Sequence, residues 1–208
     1  MEKQELKDFI KNDIRTFGRR HGKKLSNRKQ FLMENLLPRI APNAQEATEN
    51  PAILEIGFGN GEHLRELATK NPDSIIIGAE PFANGVAALL SSITNESDNT
   101  VLNEYKNIRV FPDDVRLMLH DFENLCFNEI WILHPDPWPK ARHEKRRLLN
   151  HEFLNLLSKH IGQSGKIIIG TDHWEYYDWI VEQLKQTNLC IKSTEIETIQ
   201  TRYQIKNK

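Results

Sequence analysis

Cysteine is scarce in this chain of 208 residues: Cys126 and Cys190 are too few to staple it and too far apart for a Cys-x-x-Cys pair. Such usage fits a reducing compartment. No apolar run approaches the roughly 20 residues that a membrane helix needs. The N-terminus carries charges where a signal peptide has its apolar centre, so the expected location is the cytoplasm, with no membrane partner. The eight histidines are scattered, and His134, His143 and His151 lie too far apart for helical ligand pairs; no metal is expected. Neither sign of charge dominates, with 28 Lys and Arg against 29 Asp and Glu. That balance conceals an asymmetry. Residues 1–30 hold ten Lys and Arg against four acids, a net of +6, which reads as a basic arm rather than a globally basic protein.

At this length one full α/β core is expected, with little chain left for a second. The division expected is an arm and helix over 1–50 and a catalytic domain over 51–208. Residues 2–17 can form a helix with a modest apolar stripe of Leu6, Ile10 and Phe17. Gly18 to Lys24 is a basic link. Ser26-Asn27 can cap a further helix through Leu37, ended by Pro38, and Pro42 to Pro51 is a polar connection. From Ala52 the pattern changes. Strands are expected at 52–56, 74–79, 108–111, 129–133 and 166–170, with helices near 61–70, 83–93, 114–121, 144–161 and 173–186. This alternation predicts parallel strands with crossover helices on both faces. Two further strands, 190–194 and 201–205, have no helix between them and predict an added antiparallel strand. The fold class is a doubly wound, Rossmann-like α/β sheet, mostly parallel, with ligands at the carboxyl ends of its strands.

Ile53-Leu54-Glu55-Ile56-Gly57-Phe58-Gly59-Asn60-Gly61 is a strand running into a glycine loop that opens a helix. Dinucleotide sites use G-x-G-x-x-G with a pyrophosphate on the helix N-terminus. Here the spacing is G-x-G-x-G, and position 62 is Glu62. Glu55 would set negative charge beside a pyrophosphate and instead favours a cationic group such as a sulfonium. Glu80 ends the second strand, 25 residues after Glu55, where a carboxylate can accept from ribose hydroxyls. Asp114 follows the third strand and can accept from an exocyclic amine. Each acid alone is more often a helix cap or a surface charge. Together with Gly57 and Gly59 they favour S-adenosyl-L-methionine over a nicotinamide cofactor.

After the fourth strand comes His134-Pro135-Asp136-Pro137-Trp138-Pro139, whose three prolines forbid helix and ladder and fix a stiff loop. Lys140, Arg142, Lys145, Arg146 and Arg147 follow, five cations against the single acid Glu144. A proline-rich turn leading to a solvated basic helix is the bland alternative. An acid and an aromatic held beside phosphate-seeking charge suggest chemistry on a nucleic acid. Asp136, with Asp172 after the fifth strand, can accept from N1–H and N2–H₂ of guanine, a match that adenine lacks. Guanine N7 carries no proton, so methylating it needs no general base.

These residues resemble the bacterial tRNA (guanine-N7)-methyltransferases, class I S-adenosylmethionine-dependent enzymes that modify guanosine 46 in the variable loop. The likeness covers most of the chain. It rests on Glu55-Ile56-Gly57-Phe58-Gly59, on Gly78-Ala79-Glu80, on Pro135 through His143, on Thr171-Asp172 with Tyr176, and on the basic Arg15 to Arg20. The glycine motif is weak by itself; the Pro-Asp-Pro-Trp block is specific. The resemblance implies cofactor contacts at Glu55, Gly57, Gly59, Glu80, Asp114 and Asp136, with Asp136 also catalytic. It implies RNA-substrate contacts at Lys140 and Asp172, and tRNA-backbone contacts over Arg142, His143, Glu144, Lys145, Arg146 and Arg147. It also implies substrate contacts at Thr201, Arg202, Tyr203 and Gln204, where Gln204 replaces the family's usual glutamate and carries no charge. The partner implied is tRNA, met by a monomer or a homodimer. A methyltransferase of small molecules or proteins would leave both basic segments without a partner. A non-catalytic tRNA-binding subunit would have no use for the glycine loop and its acids.

Overall fold

The computed structural model describes residues 17–122, 125–190 and 192. In chain order the helices are α1 (Asn27–Asn35), α2 (Ala44–Glu49), α3 (Glu62–Lys70), α4 (Ala83–Ser92), α5 (Val115–Asp121), α6 (His151–Lys159) and α7 (Trp174–Leu184). The strands are β1 (Ala52–Ile56), β2 (Ile75–Ala79), β3 (Ile108–Phe111), β4 (Phe127–Leu133) and β5 (Ile161–Gly170). They form one sheet in the order β3-β2-β1-β4-β5, with every pair parallel. The chain builds outward from β1 to β3, then crosses back to lay β4 on the other side of β1. That reversal opens a crevice between the carboxyl ends of β1 and β4.

β-branched runs such as Ile75-Ile76-Ile77 and Ile167-Ile168-Ile169 suit a sheet covered on both faces. Side chains alternate between two cores. Leu54, Ile56, Ile77 and Ile132 pack with Met118, Phe153, Leu157 and Tyr176 from α5, α6 and α7. Ile53, Ile76, Ile108 and Val110 pack on the other face with Leu64, Val86, Leu89 and Leu90 from α3 and α4. Each such burial stabilises by about 1.5–3 kcal/mol before chain entropy is charged against it. Leu32, Leu36 and Ile40 join this second core, so it draws on residues before position 51.

β4 and β5 begin earlier than expected, at Phe127 and Ile161, and four expectations about helices and loops change. Ser26 accepts from Lys29 N–H and caps α1 as expected, but the helix ends at Asn35. Pro38 sits inside a 3₁₀ turn, Leu37–Ile40, at a starting position where its missing N–H costs nothing. The polar connection contains α2, capped by Asn43, whose Oδ1 accepts from the N–H groups of Gln45 and Glu46. The helix expected over 144–161 is two pieces: a 3₁₀ turn, Ala141–Arg146, and α6. Arg147 is extended between them, and Asn150 restarts the helix by accepting from Phe153 N–H at 2.9 Å. The helix expected over residues 2–17 and the two C-terminal strands lie outside the described residues, apart from Phe17, Cys190 and Lys192.

Candidate active site

A cavity of about 320 Å³ opens at the crevice between β1 and β4. Its walls include Gly57 after β1, Glu80 after β2, Asp114 and Arg116 after β3, and His134, Asp136 and Trp138 after β4. Residues from four strand ends therefore meet in one place, because parallel strands put their carboxyl ends on one edge.

The glycine loop is shaped by its backbone. Gly57, Gly59 and Gly61 all have positive φ, between 59° and 83°, where an L side chain is strained. A Cβ on Gly57 would project into open space, so the bare backbone leaves room for close approach of a ligand. Glu80 ties this loop to α4: its Oε2 accepts from Gly59 N–H at 2.8 Å and its Oε1 from Phe82 N–H at 2.8 Å. Burial pushes the Glu80 carboxyl above its ordinary range, opposed by those two hydrogen bonds, and the nearby Glu55 and Asp136 push it further. Gly85, in the first turn of α4, was not singled out from sequence. A Cβ there would lie 2.3 Å from the carbonyl oxygen of Gly59, so only glycine lets the helix press against the loop. The signal was an Asn-Gly pair just inside a helix, a costly place for glycine without a packing reason.

Glu55 does not line the cavity. It alternates with Leu54 and Ile56 along β1 and so faces the opposite side of the sheet, beneath α3. There it is 3% exposed, with Oε1 3.3 Å from Nδ1 of His63. Its Oε2 has no hydrogen-bond partner among the described residues. Burial raises its carboxyl above the ordinary range, while His63 opposes the shift. The Glu55 side chain thus lies behind the glycine loop, on the face of the sheet that α3 covers. Gly59 donates its N–H to Glu80, which fixes the loop between β1 and α3.

Asp114 combines two roles that the sequence offered as alternatives. It caps α5, accepting from Arg116 N–H at 3.0 Å, and its carboxylate takes the Arg116 guanidinium at 2.8 and 2.7 Å. It also lines the cavity, buried, with Arg116 beside it.

The proline loop carries Asp136 exposed at the cavity wall. Two non-glycine residues with positive φ bracket it, His134 at 49° and Trp138 at 43°. His134 donates its N–H to Gly170 at 2.8 Å, and its Nδ1 lies 3.8 Å from the Asp172 carboxylate. Asp172, half exposed, is thereby set beside the fourth strand's loop. Trp138 packs edge-on against His143, ring centroids 5.7 Å apart, and under the Arg146 guanidinium at 5.0 Å. Partial burial and the neighbouring Arg146, Arg142 and Lys140 push the His143 imidazolium pKa down. Lys140, Arg142 and Lys145 are exposed; His143 and Glu144 are partly so. Arg147 breaks the expected pattern. It is 5% exposed, and its Nε donates to the Pro137 carbonyl at 2.8 Å. Its guanidinium lies over the rings of Trp179 and Tyr176, at 4.8 and 5.6 Å, and the residue also forms part of the cavity wall. Tyr176 is fully buried, with its phenol pushed up to about 12 by burial.

The described end of the basic arm lies across the cavity mouth. Phe17, Gly18 and Arg19 form part of its wall, and the Phe17 ring meets Arg146 at 5.4 Å. Arg20 pairs with Asp113, its carbonyl accepts from Ala83 N–H, and Asn84 bonds both Gly22 and Lys23. Phe17 at the wall and Asn84 as anchor were not read from sequence. Thr201, Arg202, Tyr203 and Gln204 lie outside the described residues.

A family model described as a putative methyltransferase matches residues 49–207. Curated relatives named tRNA (guanine-N(7)-)-methyltransferase align over most of the chain. The one from Zymomonas mobilis subsp. mobilis is 36% identical, over 92% of this chain and 87% of its own. That from Paramagnetospirillum magneticum is 38% identical, over 82% and 74%. That from Neorickettsia sennetsu is 33% identical, over 93% and 85%.

Proposed function

Because the chain belongs to the tRNA (guanine-N(7)-)-methyltransferase family, we propose that it methylates N7 of guanosine 46, in the variable loop of tRNA. The observation that carries this reading is the single cavity shared by Gly57, Glu80, Asp114 and Asp136, with an exposed run of cations at its rim. The cofactor is S-adenosyl-L-methionine, which when bound supplies a sulfonium methyl to a nitrogen that has no proton to lose.

The chain's residues fit that cofactor. Bare backbone at Gly57 admits close contact, and the remaining lone pairs of Glu80 can accept from ribose hydroxyls. Asp114, oriented by Arg116, can accept from the adenine amine. Asp136 faces the cavity from the fourth strand, where it holds the guanine edge and offsets positive charge developing on the purine. Catalysis is mostly proximity and alignment, because no general base is required. Asp172 and Lys140 bind the substrate nucleotide. Arg142, His143, Lys145 and Arg146 contact the tRNA backbone, with Arg19 and Arg20 extending the basic rim, and Glu144 lies within that run. Thr201 to Gln204 complete the substrate contacts by resemblance alone. The basic arm and its helix, 1–50, serve tRNA docking, and 51–208 carries the transfer chemistry. The work is cytoplasmic, where free cysteines and tRNA coexist.

The test is methyl transfer from labelled S-adenosylmethionine to an unmodified tRNA transcript, beside one with guanosine 46 changed to adenosine. Label on the first alone is expected. Label on both discards the position, and label on neither discards the reaction.

A further inference from the structure

We propose that Arg147 is a positioning residue: it aims Asp136 by holding the Pro137 and Trp138 carbonyls, and it makes no phosphate contact. The inference rests on the reading of Asp136 as the group that faces the target guanine.

The loop from His134 to Pro139 cannot hold itself. Pro135, Pro137 and Pro139 have no N–H, so the intervening carbonyls find few donors within the loop. Trp138, a bulky residue, sits at φ 43°, a conformation that persists only where the surroundings over-determine it. Arg147 supplies that determination from outside. Nε donates to Pro137 O at 2.8 Å, and Nη2 reaches Trp138 O at 3.5 Å. These two carbonyls belong to the two residues immediately after Asp136. Nη1 stands 3.7 Å from the Glu144 carboxylate.

Arg147 is itself fixed by α7. Its guanidinium faces Trp179 and Tyr176. Both rings are locked in turn onto Leu149: Trp179 Nε1 donates to its carbonyl at 3.0 Å, and the Tyr176 hydroxyl accepts from its N–H at 3.4 Å. A rigid path therefore runs from α7 through Arg147 to the peptides that orient Asp136. A buried cation is costly unless such partners satisfy it. The shape of the site explains the choice of arginine. A planar fork can serve two carbonyls while its face lies on aromatic rings, and the ammonium of lysine cannot.

Lysine substitution separates the two roles, because a phosphate contact tolerates Arg147→Lys and a carbonyl clamp does not. The experiment compares wild type, Arg147→Lys, Arg147→Met and Trp179→Phe. It measures the single-turnover rate on an unmodified tRNA transcript at saturating substrates, and tRNA affinity across a salt series. Arg147→Lys is expected to slow transfer about 100-fold, the scale of a misplacement near 1 Å at a reacting centre. Its tRNA dissociation constant should stay within about twofold of wild type, with the same salt slope. Trp179→Phe leaves every charge in place and should slow transfer several-fold. An Arg147→Lys protein at full rate overturns the clamp. So does an Arg147→Met protein that keeps its rate but loses about one unit of salt slope, the mark of a lost phosphate contact. Where Arg147→Met fails to fold, Arg147→Lys and Trp179→Phe, checked for cofactor binding, carry the same contrast. Wild type that methylates no tRNA guanine overturns the underlying reaction. Active wild type with inactive Asp136→Asn and unimpaired Arg147→Lys overturns the clamp alone.

Discussion

Adding one methyl group at Gly85 should damage cofactor binding from a residue that does not line the cavity. In an ordinary helix, Gly→Ala stabilises by about 1 kcal/mol, because glycine gives up more chain entropy. Here the new Cβ would stand 2.3 Å from the Gly59 carbonyl oxygen. A relaxed carbon–oxygen contact needs about 3.3–3.6 Å, so loop and helix must part by about 1 Å. Both contacting groups are backbone, so no side chain can swing aside. Overpacking of this kind costs about 1–3 kcal/mol, which exceeds the propensity gain over most of its range. The net expectation is a loss near 1 kcal/mol, or about 2–4 °C in melting temperature for a domain of this size. The larger effect falls on the loop, whose Gly59 N–H is bound to Glu80 and whose Gly57 backbone faces the cavity. Gly85→Ala should weaken S-adenosylmethionine binding about tenfold or more, equivalent to about 1.4 kcal/mol. Calorimetric melts with and without cofactor, together with equilibrium binding, measure both terms. A variant that melts higher than wild type and binds the cofactor equally well would refute the reasoning, since propensity alone would then decide.

Asp136→Asn keeps the shape and removes the charge: single-turnover transfer should fall about 100-fold, while the melting transition moves by less than about 0.5 kcal/mol because the residue is exposed. Unchanged turnover would remove Asp136 from the mechanism. Arg142→Ala and Lys145→Ala should each lower the slope of log affinity against log salt by about one unit, read by filter binding to tRNA; unaltered slopes would assign these cations to solvent. Glu55→Gln should flatten the pH dependence of stability. Burial raises the Glu55 carboxyl above its ordinary 4.5 in the folded protein, so folded chains keep a proton that unfolded chains release. Stability is then lost as pH rises from the unfolded value to the folded one. Melting temperatures from about pH 4 to about pH 8 should fall less steeply in the variant, and an identical decline would show that Glu55 does not titrate as its burial demands.

The strands were legible because short β-branched runs between glycine and proline punctuation have few other readings. The glycine loop and the Asp136 loop were legible for a related reason: their backbone requirements are written in residue types that serve few other purposes. The facing of Glu55 was not legible. β1 is buried on both sides, so no polar alternation marks which face each residue takes, and a shift of one residue reverses the answer. Arg147 was hidden by its neighbours. Five cations in eight positions look like one electropositive patch, and composition carries no information on which of them turns inward. The break in the expected 144–161 helix was the available clue, because Leu148-Leu149 beside Asn150 is an apolar pair followed by a cap. The packing of Gly85 against Gly59 needs two segments to meet, which no local pattern displays.

The acids of this site also decide between cofactors on physical grounds. Glu80 is buried, its charged form is already disfavoured, and Asp136 and Glu55 disfavour it further. Asp114 adds a third carboxylate to the cavity wall, with Arg116 committed to it. A pyrophosphate set beside Glu80 and Asp114 would bring further negative charge to that part of the wall, while the cations Lys145, Arg146 and Arg147 come from the segment after the proline loop. A ligand with a cationic centre does the reverse, lowering the cost of keeping Glu80 ionised. The same sorting serves the substrate. Asp136 shares the cavity wall with Lys145, Arg146 and Arg147, and Lys140 and Arg142 are exposed outside that wall. On the reading proposed above, that run of cations would draw the phosphates, and the base is the part of the nucleotide left to face Asp136.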